Sequence, residues 1–291
     1  PITVDSVRWY GPALPTNESV ECRVHIRKLG DRQVRADMTL LVDGAVWAEV
    51  SGWTDQRFDT NERSWPVIRY PENNLLSEPT HDGMVIVEDL FHTSASQDYY
   101  HRRFLNTGER EQYGELSDVR KGPWLAGRIA AKDAVRSWLW NHGDEPIFPV
   151  EIGIDNKETG QPIIRGHHGQ DLHLSIAHKG AVAVARVGKE PVGVDIETIE
   201  TRTDRFVDHA LTADEQAHLP GGDRDEWVTR FWAAKEAAGK QKGTGLNGSP
   251  RRILISDVQG TRVCAGDTWV DTERRGQSIV AWTVNDPEPT V

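Results

Sequence analysis

The stretch Phe231–Leu246, FWAAKEAAGKQKGTGL, decides how the rest of the chain is read. Its alanines favour a helix, and in a helix Trp232, Glu236 and Lys240, four residues apart, lie along one face. That face carries an aromatic ring, an acid and a base. Gly243 and Gly245 end the helix in backbone that can approach an anion closely. Upstream stands VGVDIE, Val192–Glu197, an apolar alternating run that reads as a strand. Asp195 and Glu197, two apart, therefore point to the same side of it. Three carboxylates, two from a strand and one from a helix, can converge on a hard divalent cation, with Lys240 beside a phosphate held by that cation.

GVDIE followed by WxxKEAxxKxxGxGL resembles the signature of the 4′-phosphopantetheinyl transferases, specifically the two-halves, surfactin-synthetase-activating type. Two motifs in the right order and spacing make the likeness specific. It spans roughly residues 84–285. Helical and strand patterns interleave without regular βαβ spacing, which reads as α+β with mainly antiparallel sheets, and the resemblance implies a pseudo-two-fold arrangement of two similar halves, residues 84–192 and 193–291. It also implies an enzyme that moves 4′-phosphopantetheine from coenzyme A to a serine of an acyl carrier protein, releasing adenosine 3′,5′-bisphosphate. By the same resemblance Mg²⁺ would rest on Asp195, Glu197 and Glu236, Lys240 would stand beside the leaving group, and Glu236 would accept the serine proton. Asp195, Glu236 and Lys240 are thus the expected catalytic set.

Coenzyme A contacts follow from the resemblance too. TGQP, Thr159–Pro162, takes the place of the family's GKP loop, with Gln161 where a lysine is usual and Pro162 kept. LSIAHKG, Leu174–Gly180, stands where the family has Ser-His-Ser. His178 matches the histidine, while Ala177 and Lys179 replace the serines, so one hydroxyl donor is lost and Lys179 can supply charge instead. WLAGRIAAKDAVRSWLW, Trp124–Trp140, repeats apolar residues at helical spacing after Pro123, read as the helix start. Arg128 and Lys132 share one face of it. Spacing alone would let both snorkel to solvent; the family places a basic helix here against CoA phosphates, with Arg110 a weaker candidate of the same kind. Lys235 lies on a different side of its helix from Lys240, where it either contacts phosphate or pairs with an acid.

Bulk properties set limits on these readings. With 291 residues there is room for one large or two ordinary domains, and 27% charged against 37% apolar residues is a globular composition. No apolar run approaches membrane-spanning length and the start lacks a targeting pattern, so the expected location is the cytoplasm, with no membrane partner. A formal net charge of −11 argues against nucleic acid as a partner, and less against CoA, which a few local cations can hold. Cys22 and Cys264 have no metal-site or disulfide-framework spacing.

Ahead of the transferase-like part, VECRVHIRKL, QVRADMTLLV and AVWAEVSGWT read as an antiparallel meander with GD and DG turns. RWYGP, these strands and the dipeptide Gly52–Trp53 are similar to the second half of a polyketide synthase dehydratase, a double hot-dog fold, without the helix bearing its catalytic Asp. Residues 1–60 are therefore expected as a partial hot-dog segment, 61–83 as a linker, and the chain, which starts at Pro1, as the C-terminal piece of an iterative polyketide synthase acting on its own carrier domain. Further on, MVIVEDL reads as a strand, SQDYYHRRFLNTGEREQY as helical in its second half, and Thr212 with Glu215 as a capping box. IGID, Ile152–Asp155, reads as a plain strand sharing the VGVD pattern by chance. Two other classes of function stay open: a non-catalytic module that binds CoA or a carrier, and an ancillary part of a hot-dog enzyme.

Overall fold

The computed structural model describes residues 3–30, 33–56, 63–81, 83–91 and 94–284. They divide into two units, residues 1–59 and 60–291.

The first unit is one antiparallel sheet. Its strands β1 (Ser6–Trp9), β2 (Glu21–Leu29), β3 (Gln33–Val42) and β4 (Ala45–Gln56) lie in the order β1-β4-β3-β2. The Asp43-Gly44 pair between β3 and β4 has positive φ at both residues, 49° and 78°, the tight turn that the DG dipeptide foretells. The three-run meander is present, and Arg8 and Trp9 of the RWYGP motif add a fourth strand beside β4. β2 is exposed along its whole length.

The second unit holds α1 (Ser64–Arg69), β5 (Glu78–Pro79), β6 (Met84–Glu88), α2 (Ser94–Phe104), α3 (Thr107–Glu115) and α4 (Asp118–Asn141). Then come β7 (Ile152–Asn156), β8 (Pro162–Gly166), β9 (His173–Lys179), β10 (Val182–Gly188), β11 (Val194–Thr198), α5 (Asp204–Ala210) and α6 (Ala213–Ala217). It ends with α7 (Arg224–Gln241), β12 (Ile255–Gln259), β13 (Arg262–Ala265), β14 (Thr268–Arg275) and β15 (Ser278–Val284). Two antiparallel sheets carry it, ordered β5-β6-β10-β9 and β11-β15-β14-β13-β12, with β7 and β8 as a separate pair. Met84, Ile86, Ala177 and Val184 of the first sheet meet Val194, Ile196, Val280 and Trp282 of the second in one apolar layer. The other face of the first sheet is covered by α4, and α7 lies on the second sheet. Both helices are rich in buried alanine, which lets backbone approach backbone. Gly193 marks the limit of that approach, since a Cβ there would stand 1.9 Å from the Ala237 carbonyl oxygen.

Each helix–sheet layer contains the same buried ion pair. Lys132 of α4 donates to Phe104 O and Glu109 Oε2, both at 2.6 Å. Lys235 of α7 donates to Ala210 O at 2.9 Å and Glu215 Oε2 at 3.0 Å. Both acids close capping boxes, Glu109 with Asn106 and Glu215 with Thr212. Their remaining oxygens accept backbone N–H groups from Ile154 (3.0 Å) and Ile255 (2.6 Å). The pairs sit in matching sequence, AAKDA at Ala130–Ala134 and AAKEA at Ala233–Ala237. The shared IGID and VGVD pattern, read above as chance, thus has a counterpart in the two long helices.

The structure departs from other expectations for identifiable reasons. α4 begins at Asp118, ahead of Pro123, because a proline in an early turn forfeits only one helical hydrogen bond. The segment before it is helical almost throughout, as α2 and α3, separated where Asn106 caps the second. Within the span expected as a linker, Val67 and Leu76 are buried in the core under α4, and Asp133 accepts from Leu76 N, Ser77 N and Ser77 Oγ, each at 2.9 Å. Polar composition concealed a segment that an internal carboxylate ties down. Among the described residues no helix is long and apolar enough to cross a membrane.

Candidate active site

β11 and α7 build the site. β11 is the outermost strand of its sheet and pairs only with β15 there, setting Asp195 opposite Ala281. Alternation then places Glu197 on the same side as Asp195. α7 crosses close by at Gly193, which brings Glu236 and Lys240 to those acids. Lys240 Nζ donates to Asp195 Oδ1 at 2.7 Å and to Val194 O at 3.2 Å. Asp195 is 6% exposed, and its other oxygen, Oδ2, has no hydrogen-bond partner. Burial pushes the Asp195 carboxyl up, Lys240 pulls it down and Glu197 pushes it up again.

Glu236 makes no hydrogen bond or ion pair with the described residues, yet its carboxyl feels both other acids. Burial first, then Asp195, raise it to about 6, with Glu197 adding and Lys240 opposing. Glu197 is held differently. Its Oε1 accepts from Trp232 Nε1 at 3.2 Å, and its Oε2 is paired with Lys179 at 2.8 Å and Arg202 at 3.1 Å. Arg202 also pairs with Glu200 and stacks over Phe206, whose ring meets Trp232 edge-on at 5.1 Å. Arg202 lies in the loop after β11, where no periodic pattern marks a residue as facing the site.

The three acids named from the sequence therefore neighbour one another electrostatically. Among the described residues, however, no three His, Cys, Asp or Glu side chains are arranged as a ready metal site. The donor chemistry fits a hard cation: all-oxygen ligands, one buried carboxylate oxygen with nothing to accept from, and a second carboxylate destabilised as an anion. Asp195 and Glu236 meet that description. Glu197, with three donors already on it, does not.

A cavity of about 180 Å³ opens beside Lys240. Thr159–Pro162, Ser175 and Gly243–Gly245 line it, so the loop in place of GKP, the start of the AHK strand and the glycine turn come together. Gly243 (φ 72°) and Gly245 (φ 58°) are left-handed, and Gln161 lies against Gly243, where a Cβ would be 3.2 Å from its Oε1. Gln161 Oε1 also accepts from Lys157 Nζ at 2.9 Å. His178 is exposed on β9 and held below the usual histidine range, by partial desolvation and then by the charge of Lys240.

The basic residues expected at CoA divide. Lys132 and Lys235 are both 0% exposed and tied into the ion pairs described above, so neither head group reaches a ligand. Spacing misled here because helical periodicity reports which face a residue occupies and not whether another element covers it. Burial lowers Lys132 to about 8 against the pull of Glu109. Arg128 does not snorkel: it is 5% exposed, lies 4.6 Å over Trp124, and its Nε and Nη2 have no hydrogen-bond partner. Arg110 is exposed and donates to Arg102 O at 2.6 Å.

A family model described as the 4'-phosphopantetheinyl transferase superfamily matches residues 191–283, the part that carries Asp195, Glu197, Glu236 and Lys240. A holo-[acyl-carrier-protein] synthase of Geobacillus kaustophilus is 38% identical over 92 residues, covering 31% of this chain and 71% of that protein. A 4'-phosphopantetheinyl transferase of Bacillus subtilis is 33% identical over 105 residues, covering 35% of this chain and 46% of that one. A solved holo-(acyl-carrier-protein) synthase from Bacillus anthracis in complex with CoA (3',5'-ADP) is 30% identical, with 36% of this chain and 90% of that chain covered and a TM-score of 0.32.

Proposed function

The chain belongs to the 4′-phosphopantetheinyl transferase superfamily and is an enzyme of that type, and from that premise we propose that it transfers the 4′-phosphopantetheine group of coenzyme A to a serine hydroxyl of an acyl carrier protein. The observation that carries the proposal is the bare, buried Oδ2 of Asp195 beside Lys240 and Glu236, next to the cavity lined by Thr159–Pro162 and Gly243–Gly245.

The reaction is attack of a hydroxyl on the β-phosphorus of a diphosphate. Negative charge on the phosphate oxygens repels the nucleophile, so the protein must neutralise and align. Asp195 and Glu236 would hold Mg²⁺, which when bound supplies charge to the diphosphate oxygens and keeps some of its waters. Lys240, anchored on Asp195 and the Val194 carbonyl, adds a positive charge next to the leaving oxygen. Glu236 takes the proton of the serine hydroxyl, directly or through one water. Gln161, Pro162 and His178 border the nucleotide end, and Arg110 and Arg128 are the remaining cations for phosphate, Lys179 being paired with Glu197. The two matching helix–sheet layers are the pseudo-two-fold halves of the family, and residues 1–60 are the dehydratase-like strands of a polyketide synthase whose carrier domain is the partner. Such a protein works in the cytoplasm.

Because Glu236 must be ionised to accept a proton, its titration sets the acid limb of the reaction. Its carboxyl is raised to about 6 before any cation binds, and a bound cation pulls it down, so the rate is expected to rise about tenfold per pH unit on the acid side and to have levelled off by about pH 6. Release of adenosine 3′,5′-bisphosphate from CoA and an apo carrier, followed by chromatography between pH 5 and 8 (roughly the range spanning the titration), checks this. A rate still climbing tenfold per unit above about pH 7 would mean that another group is the base.

A further inference from the structure

Glu197 lies on the same side of β11 as Asp195 but meets different surroundings. Its two oxygens take an indole N–H from Trp232, the ammonium of Lys179 and the guanidinium of Arg202. The carboxylate is 15% exposed, so these three donors occupy most of the directions from which it can be approached. Asp195 Oδ2, by contrast, is buried with no hydrogen-bond partner, and Glu236 is half-buried beside it. Lys179 is held at the end of β9, whose register with β10 sets it opposite Val182, and its side chain keeps 38% of its surface exposed. A compact, strongly hydrated ammonium on a mobile stem can leave such a pair; a guanidinium stacked on Phe206 and pinned on Glu200 cannot leave as cheaply.

We infer that Lys179 is a resident cation for Glu197, so that the divalent ion is held by Asp195 and Glu236 without Glu197, and that removing Lys179 creates a third ligand. The inference rests on the reading of Asp195 and Glu236 as a cation site. In the chain as it stands the charge of Glu197 is neutralised from within the protein. Loss of the lysine leaves a partly freed carboxylate two residues from Asp195 on the same strand face, which adds an oxygen donor and a negative charge to the site.

Manganese titrations followed by electron paramagnetic resonance, with no CoA or carrier present, test this independently of turnover. Lys179→Met is expected to tighten Mn²⁺ binding several-fold. The double variant Lys179→Met/Glu197→Gln removes both charges of the pair and keeps the net charge of the site, and its affinity is expected to stay within about twofold of the unmodified chain. Asp195→Asn is expected to weaken binding about 10–100-fold. If the double variant loses affinity as Asp195→Asn does, Glu197 is a ligand and the inference falls while the cation site stands. If the unmodified chain binds no Mn²⁺, both fall together.

Discussion

Glu236→Gln is expected to lower phosphopantetheine transfer by about 10²–10⁴-fold while leaving the protein folded and, at neutral pH, more stable. The loss of rate follows from removing the proton acceptor and one carboxylate oxygen of the cation site. The gain in stability follows from the same environment that raises its pKa to about 6. Between the ordinary value and 6 the folded state binds the extra proton, so stability falls as pH rises through this window, and above it the folded protein carries the full cost of the charge. Gln removes that cost, which after discounting for partial exposure is on the order of 1 kcal/mol. Urea unfolding at pH 7.5 and at pH 4 (values chosen about the window) should show stabilisation only at the higher pH. Lower stability at pH 7.5 would mean that Glu236 supports the fold.

Lys235→Met is expected to destabilise the protein by about 3–5 kcal/mol, since it strands a buried Glu215 that closes a capping box and accepts the Ile255 amide. Adding Glu215→Gln should restore part of the loss, because a neutral amide no longer needs the ammonium. Lys132→Met acts against Glu109 in the same way. Denaturant titration measures both. A phosphate-contact role for either lysine would show instead as a raised KM for CoA with stability unchanged.

These two lysines also show how far the sequence can be read. Asp195, Glu236 and Lys240 were legible because strand and helix periodicities, 2 and 3.6, place side chains on faces without reference to the rest of the fold. Three of the four strands of the first unit were legible for the same reason, from alternation and a DG turn. Whether a face meets solvent, ligand or protein is a tertiary matter. Lys132 and Lys235 lie on helix faces covered by the capping boxes of preceding helices, and nothing in a local window announces that cover. The span expected as a linker was hidden in the opposite sense: its polar residues are held by Asp133 and by Arg136, which donates to the carbonyls of Asn74 and Ile147. AAKDA and AAKEA repeat with Arg136 in one helix and Gly239 in the other. In α4 the acid after the lysine is sealed by an arginine and a loop; in α7 a glycine stands where that arginine would be, and the acid is left unpaired.

Phosphopantetheine transfer is tested most directly by weighing an apo carrier protein by mass spectrometry after incubation with this chain, CoA and Mg²⁺. A mass gain of one phosphopantetheinyl group on the carrier serine, prevented when a chelator is present from the start of the incubation, is the predicted result. Unchanged masses across several carriers, those of polyketide synthases included, would contradict it.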